Sequence, residues 1–331
     1  MAQTWGDDSD RERSNWPAWG FWVGGAALVV VFTGVVGALV LTGAFSGGSS
    51  NTVPASVVSV PGSSAPSTGA PVTTLVDGVD LPDQGSDRDE ALASPGQIAV
   101  APPQWLGQRV LPVGVDGLVP PQTTPPELQD RQFFSPDHLP PPDGDQFVGT
   151  VAALEGEPLA RSTWHEGCPV SVDELRYITV TFHGFDGLSH TGELIAHRDV
   201  AADLVDVFRE LYQVQFPIEE MRIVTAADME ADPTGDGNNT ASFVCRAVTG
   251  GLRFSEHAYG LAIDVNPFHN PYVRGEVVLP ELAASYLDRT PRAGVIVEGD
   301  VVVEAFETIG WGWGGRWQSL KDYQHFALRD R

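Results

Sequence analysis

No residue between Phe21 and Phe45 carries a charge, and that run limits what the rest of the chain can be. Its core reads GGAALVVVFTGVVGALVLTGAF. At ~1.5 Å per residue, a helix of that length crosses a hydrocarbon layer of about 30 Å with some tilt. Arg11 and Arg13 precede the run, and the next basic residue is Arg88. Basic residues stay on the cytoplasmic side, so the expected protein is single-pass in the cell membrane. Residues 1–20 are then a cytoplasmic tail, 21–45 a transmembrane helix with the lipid bilayer as its partner, and the remainder is extracytoplasmic. A cleaved signal peptide is the competing reading. Its apolar stretch is usually shorter, and GAFSGG is a poor cleavage site.

Residues 46–74 are rich in Ser, Gly, Pro and Thr and carry no charge, the composition of a flexible stalk. Proline stays dense through PPQTTPPELQD and HLPPPDGDQF, which disfavours helices and central strands. We read 46–148 as a Ser/Pro/Gly-rich and acidic linker, with pieces such as QIAVAPPQWL able to pack on the domain C-terminal to it. There are 44 acidic residues against 19 basic ones and one lysine, Lys321. A net charge of -25 leaves no basic stripe for a nucleic acid, and it suits a solubilised exported protein. The two cysteines, Cys168 and Cys245, read as one disulfide in such a compartment, with two buried thiols as the alternative.

Pattern returns near Phe147, giving an extracytoplasmic domain over 149–331. LRYITVTFHGF and HTGELIAHRDV predict two strands joined by a turn at Gly184 to Gly187. Leu204, Val207, Phe208 and Leu211 recur at helical spacing, predicting a helix over 200–216 with Asp199 as its cap. MRIVTAADM, AIDV and QHFAL predict further strands. GVIVEGDVVVEAFETIGW predicts a short strand, a turn and a helix start. Strands and helices mix without a βαβ repeat. The expected class is α+β, a small antiparallel sheet with flanking helices.

The chemistry concentrates in SEHAYGLAIDVNP. In a strand over Leu261–Val265, Leu261, Ile263 and Val265 face one side while Ala262 and Asp264 face the other. A carboxylate there is costly to bury without a cation or several donors. His257 lies just before the strand, and Gly260 between them lets the backbone turn. Alone, the two make a hydrogen-bonded structural pair as readily as a metal site. A catalytic zinc takes three protein ligands and keeps a fourth position open. His325, in KDYQHFAL, is the candidate third ligand, and Asp322 just before it is a carboxylate free to move protons.

The pattern S-x-H-x-x-G-x-A-x-D followed by D-x-x-H-F resembles the zinc D-alanyl-D-alanine carboxypeptidase family, the VanY-like and L-alanyl-D-glutamate endopeptidase group. It is carried by Ser255, His257, Gly260, Ala262 and Asp264, then Asp322, His325 and Phe326. The resemblance covers roughly residues 160 to 328. It implies Zn²⁺ on His257, Asp264 and His325, with Asp322 as general base and acid. It also implies an arginine near the scissile carbonyl, for which Arg246 is the candidate. The implied activity is hydrolysis of peptidoglycan stem peptides. The alternatives are a non-catalytic peptidoglycan-binding or scaffolding domain of the same fold, and an exported domain in which the pair only hydrogen-bonds.

Ser255, Tyr259 and Trp313 are candidates for contacting substrate; for the tryptophans of GWGWGGRW, core packing is the alternative. DPTGDGNN lacks the ligand alternation and terminal glutamate of a calcium loop. There is no G-x-S-x-G elbow to suggest a serine hydrolase. His165, His183, His190, His197 and His269 match no motif and are read as surface or structural.

Overall fold

A computed structural model describes residues 99–115, 119–120, 122–248 and 252–329. The expected membrane segment, Phe21–Phe45, lies outside the described residues, as do the tail and the stalk. No helix among the described residues is long and apolar enough to cross a membrane.

The described chain is α+β, but its strands form several small sheets instead of one. In the first, strand β1 (Gly149–Ala153) pairs antiparallel with β2 (Leu175–His183), which pairs antiparallel with β3 (Ser189–His197). The hairpin turns through Gly184–Gly187, as its glycines predict, with Gly187 at φ 74. One face of β2 and β3 packs Ile178, Val180, Phe182, Leu194 and Ala196 against helix α3 (Ala201–Gln213). Leu204, Val207, Phe208 and Leu211 are the buried stripe of that helix. Asp199 does not cap it. The N-cap is Val200, without a side-chain bond, and Asp199 lies instead beside His197 and Arg198 at 3.5 and 3.6 Å.

The strand predicted at MRIVTAADM shrinks to β4 (Glu220–Met221), which pairs parallel with β5 (Asn239–Thr240). Helix α4 (Ala226–Glu230) takes the remainder. The cause is a capping box: Thr225 Oγ1 accepts from the Asp228 amide, and the Asp228 carboxylate accepts from the Thr225 amide at 2.7 Å. Likewise no strand forms ahead of helix α5 (Val301–Thr308). Its cap, Asp300, accepts from the amides of Val297 and Val303 and so turns the chain into the helix.

Two more small sheets carry the site. Strand β6 (Ala262–Asp264) pairs with β11 (His325–Ala327), which also pairs with β9 (Gly312–Trp313). Strands β7 (Tyr272–Arg274) and β8 (Val277–Leu279) form a hairpin, and β10 (Lys321–Asp322) adds to β7. Ile263, Phe326, Trp311 and Trp313 close the main core beneath β6 and β11.

Residues 99–148, read from sequence as the end of a linker, are packed onto the domain where described. They hold one short helix, α1 (Pro126–Gln129). Leu111, Leu128 and Phe133 enter a second core with Phe268, Leu282 and Tyr286. Arg131 is 2% exposed and bonds Glu219 twice, at 2.8 and 2.6 Å, and the Asp236 carbonyl at 2.7 Å. Its own carbonyl accepts from His269 Nε2 at 2.8 Å. Burial pushes the His269 imidazole down to about 3, so it is neutral, as this single-donor role requires. Through these bonds the early segment braces the turn after β6.

Arg131→Met removes the cation and leaves Glu219 buried with only Asn238 beside it. Losing one partner of a buried ion pair costs about 3–5 kcal/mol. Urea unfolding of the variant should show an unfolding free energy lowered by that amount, read as a lower midpoint at an unchanged slope. A change under ~1 kcal/mol would mean that the segment is a passenger.

Candidate metal centre

Antiparallel pairing sets His325 directly opposite Asp264, so both side chains leave the same face of the β6–β11 ladder. His325 Nδ1 lies 3.0 Å from Asp264 Oδ1. His257 arrives from a single 3-10 turn, Glu256–Tyr259. Ser255 caps that turn, accepting from the His257 amide at 3.4 Å, so its hydroxyl has a structural task. Gly260 ends the turn at φ 67, and a Cβ there would meet the His197 amide at 2.6 Å. The glycine thus serves both a left-handed backbone and a close approach.

His257 Nδ1 donates to the Ser242 carbonyl at 2.6 Å. That bond leaves Nε2 as the lone-pair nitrogen, 3.2 Å from His325 Nδ1 and 3.3 Å from Asp264 Oδ2. Donors held at ~2.0–2.1 Å from a tetrahedral zinc lie about 3.3 Å apart. The nitrogen–nitrogen edge is 3.2 Å, and the Asp264 carboxylate spans the pair, Oδ1 3.0 Å from His325 Nδ1 and Oδ2 3.3 Å from His257 Nε2, distances close to that spacing. The donor set therefore fits a zinc ion: two imidazole nitrogens and a carboxylate turned toward one point. Burial alone would push the Asp264 carboxyl up, but the His257 and His325 rings hold it well below the usual carboxylate range.

Asp322 behaves in the opposite way. Burial pushes its carboxyl up to about 6; His325 opposes this, and the Asp264 charge adds to it. A Gln324 amide donates to its Oδ1 at 3.1 Å. Two carboxyls in one site with pKa values driven apart is the usual sign of divided roles.

The centre opens on a cleft of about 270 Å³, lined in part by Arg222, Val244, Arg246, His257, Asp264 and Pro267. Its two arginines differ. Arg222 is committed, bonding Glu220 at 2.7 Å and Asp228 at 2.7 and 3.0 Å. Arg246 pairs with no carboxylate among the described residues and gives one bond, to the Ala247 carbonyl at 3.2 Å. The disulfide between Cys168 and Cys245 is formed, with an S–S distance of 2.06 Å. It closes a loop across 77 positions, worth about 4 kcal/mol in a chain-entropy account, and tethers the strip that carries Ser242 and Arg246. Those cysteines also stand near His165, but as a disulfide they are not metal ligands.

Neither Tyr259 nor Trp313 lines that cleft. Tyr259 lines a separate cavity of about 240 Å³ with His197 and Arg329. Trp313 is 3% exposed, stacked on Phe326, and donates to the Tyr323 carbonyl at 2.9 Å. Its period-2 position in a core strand turns it inward. Trp317, half-buried, has its ring 5.4 Å from that of His325. Sequence reasoning also missed Ser242, whose part is played by a backbone carbonyl that any residue could supply. Asp236 and Asn238 of DPTGDGNN are bonded within the protein, to Thr234, Gly107 and Glu219.

Two imidazoles and a carboxylate converging beside a carboxyl poised near neutrality define the class: a candidate metal centre suited to hydrolysis. Residues 249–328 match the model of a peptidase family described as D-alanyl-D-alanine carboxypeptidase, and this supports the resemblance carried by the two-part motif. No curated protein and no solved structure matches the chain.

The folded Asp322 carboxyl ionises with difficulty, so its charge opposes folding. That penalty is absent below about pH 4 and complete above about pH 6. Metal-free Asp322→Asn should therefore melt higher than the metal-free parent at pH 7.5, and the gap should close at low pH. A lower melting temperature at pH 7.5 would contradict the assignment.

Proposed function

We propose that this protein is a zinc peptidase acting on peptidoglycan stem peptides, of the D-alanyl-D-alanine carboxypeptidase type. The observation that carries the reading is the convergence of His257 Nε2, His325 Nδ1 and the Asp264 carboxylate within 3.0–3.3 Å of one another. The family match over 249–328, in a family typically metal-dependent, supports it.

His257, Asp264 and His325 would hold the ion. When bound, zinc supplies Lewis acidity, lowering the pKa of water toward 7 and polarising a carbonyl. Asp322 accepts a proton from the attacking water as the new carbon–oxygen bond forms. It then delivers that proton to the leaving amine as the carbon–nitrogen bond breaks, so no net proton stays on the enzyme. Arg246, the cleft cation that pairs with no carboxylate among the described residues, would face the negative charge that develops on the carbonyl oxygen.

The same reading keeps the chain at the cell membrane, anchored by Phe21–Phe45 with its N-terminus in the cytoplasm. A flexible stretch of ~30 residues beyond the anchor has a root-mean-square reach of roughly 30 Å, enough to present the domain to a wall outside the bilayer.

Incubating the protein with muropeptides and reading the products by mass spectrometry tests the activity. The expected result is loss of a terminal or internal stem residue. Asp322→Asn should abolish it, by at least ~10²-fold, while metal content is retained. Arg246→Ala should lower turnover about 10²-fold. Normal turnover by Asp322→Asn would remove Asp322 from the mechanism. A metal-loaded wild type that cleaves nothing would favour the scaffolding alternative.

A further inference from the structure

A base must be aimed as well as poised, and Asp322 is unusually well fixed in this respect. Its backbone is pinned from two sides. In the β10–β7 ladder it stands opposite Tyr272. On its other flank lies Gly314, where a Cβ would meet the Asp322 carbonyl at 2.6 Å and its Cβ at 2.9 Å. Any side chain at 314 would push β10 away, so the glycine of WGGRW holds the strand close. What remains free is the rotation of the carboxylate about its own two torsions.

Gln324 restrains that rotation. Its Nε2 donates to Asp322 Oδ1 at 3.1 Å, and the reverse amide orientation would set two acceptors face to face. Gln324 is 9% exposed and is itself anchored. Its carbonyl accepts from the Val265 amide at 2.9 Å, and the preceding carbonyl, of Tyr323, accepts from Trp313 Nε1 at 2.9 Å. Val265 adjoins Asp264 in sequence. The tether on Asp322 is thus referenced to the same strand that carries a metal-site ligand.

The chemical choice is informative. A carboxylate offers about four lone-pair sites, and a neutral amide takes one of them. An arginine or lysine at 324 would orient the carboxylate as well, but it would also neutralise it and make it a poorer base. An apolar residue would leave it to swing. A buried amide orients without neutralising.

We propose that Gln324 is a positioning residue for Asp322, holding one carboxylate oxygen so that the other is presented in a single orientation for proton transfer. This rests on the reading of Asp322 as the proton carrier given above.

Gln324→Met keeps the length and the backbone bonds while removing the donor. In the full chain, loaded with zinc, kcat on a muropeptide should fall about ten- to a hundredfold, with KM within about threefold and metal content unchanged. Gln324→Glu, which sets a second carboxylate against Asp322, should fall further. A merely structural role would lower metal content or melting temperature and leave the kcat of the folded, loaded fraction intact; that result, or an unchanged kcat in Gln324→Met, would overturn the proposal. A second measurement does not depend on turnover. In the wild type, one Gln324 side-chain amide proton should exchange slowly by NMR and lose that protection in Asp322→Ala. Rapid exchange in the wild type would also overturn it. Absence of hydrolysis by the wild type would overturn the peptidase reading instead, and the hold on Asp322 would then stand or fall by the amide signal.

Discussion

The pairing of β6 with β11 is the contact on which the site depends. Asp264 and His325 are 61 positions apart, and only the register of these two short strands sets them face to face at 3.0 Å. A slip of one residue in either strand would turn its ligand to the opposite face and bring Ile263 or Phe326, both fully buried, into water. The apolar face therefore protects the polar one. Ile263 and Phe326 hold the register because they must stay in the core, and the ligands sit opposite them as a result.

That ladder is short and is braced from outside. Asn266, at φ 43, turns the chain after β6 and bonds the Pro217 carbonyl and the Glu219 amide. Asn270 gathers the Val265, Asn266 and Gly294 carbonyls. Arg131 and His269 lock this network from the opposite side, through a segment far outside the matched residues 249–328. Buried polar groups at this density are costly unless fully bonded, so the network gains its rigidity from being nearly complete. On the other flank, the disulfide and the Ser242 carbonyl fix the third ligand, His257.

Much of this was legible in the residues, and the limits have physical causes. The first half of the motif could be read because its geometry is local: a capped turn, a left-handed glycine and a strand of alternating faces lie within ten residues. The hairpin of β2 and β3 and helix α3 were legible for the same reason, as period and pairing rules act over short spans; the cysteine pair, 77 positions apart, was legible from its count and compartment instead. Of residues 99–148, only the apolar piece QIAVAPPQWL was legible as packing, and its Trp105 and Leu106 do join the second core; Arg131 looks like any linker arginine until Glu219 and Asp236 are brought to it. Helix α4 was missed since the apolar run of MRIVT outweighed the Thr225–Asp228 box. Residue type alone does not place Trp313 or Tyr259, because a side chain's facing depends on where its strand or turn is docked. Gln324 stands inside KDYQHFAL, yet only the turn between β10 and β11 brings its amide back to Asp322.

The central claim is that His257, Asp264 and His325 form one metal site and not a set of hydrogen bonds. X-ray absorption at the zinc edge of the purified protein, loaded with one equivalent of zinc, tests it most directly. The predicted spectrum is that of a four-coordinate ion with two imidazole nitrogens and light oxygen donors at ~2.0–2.2 Å, with one imidazole lost in His325→Ala. A protein that fails to retain zinc at neutral pH, or a spectrum unchanged by that substitution, would contradict it.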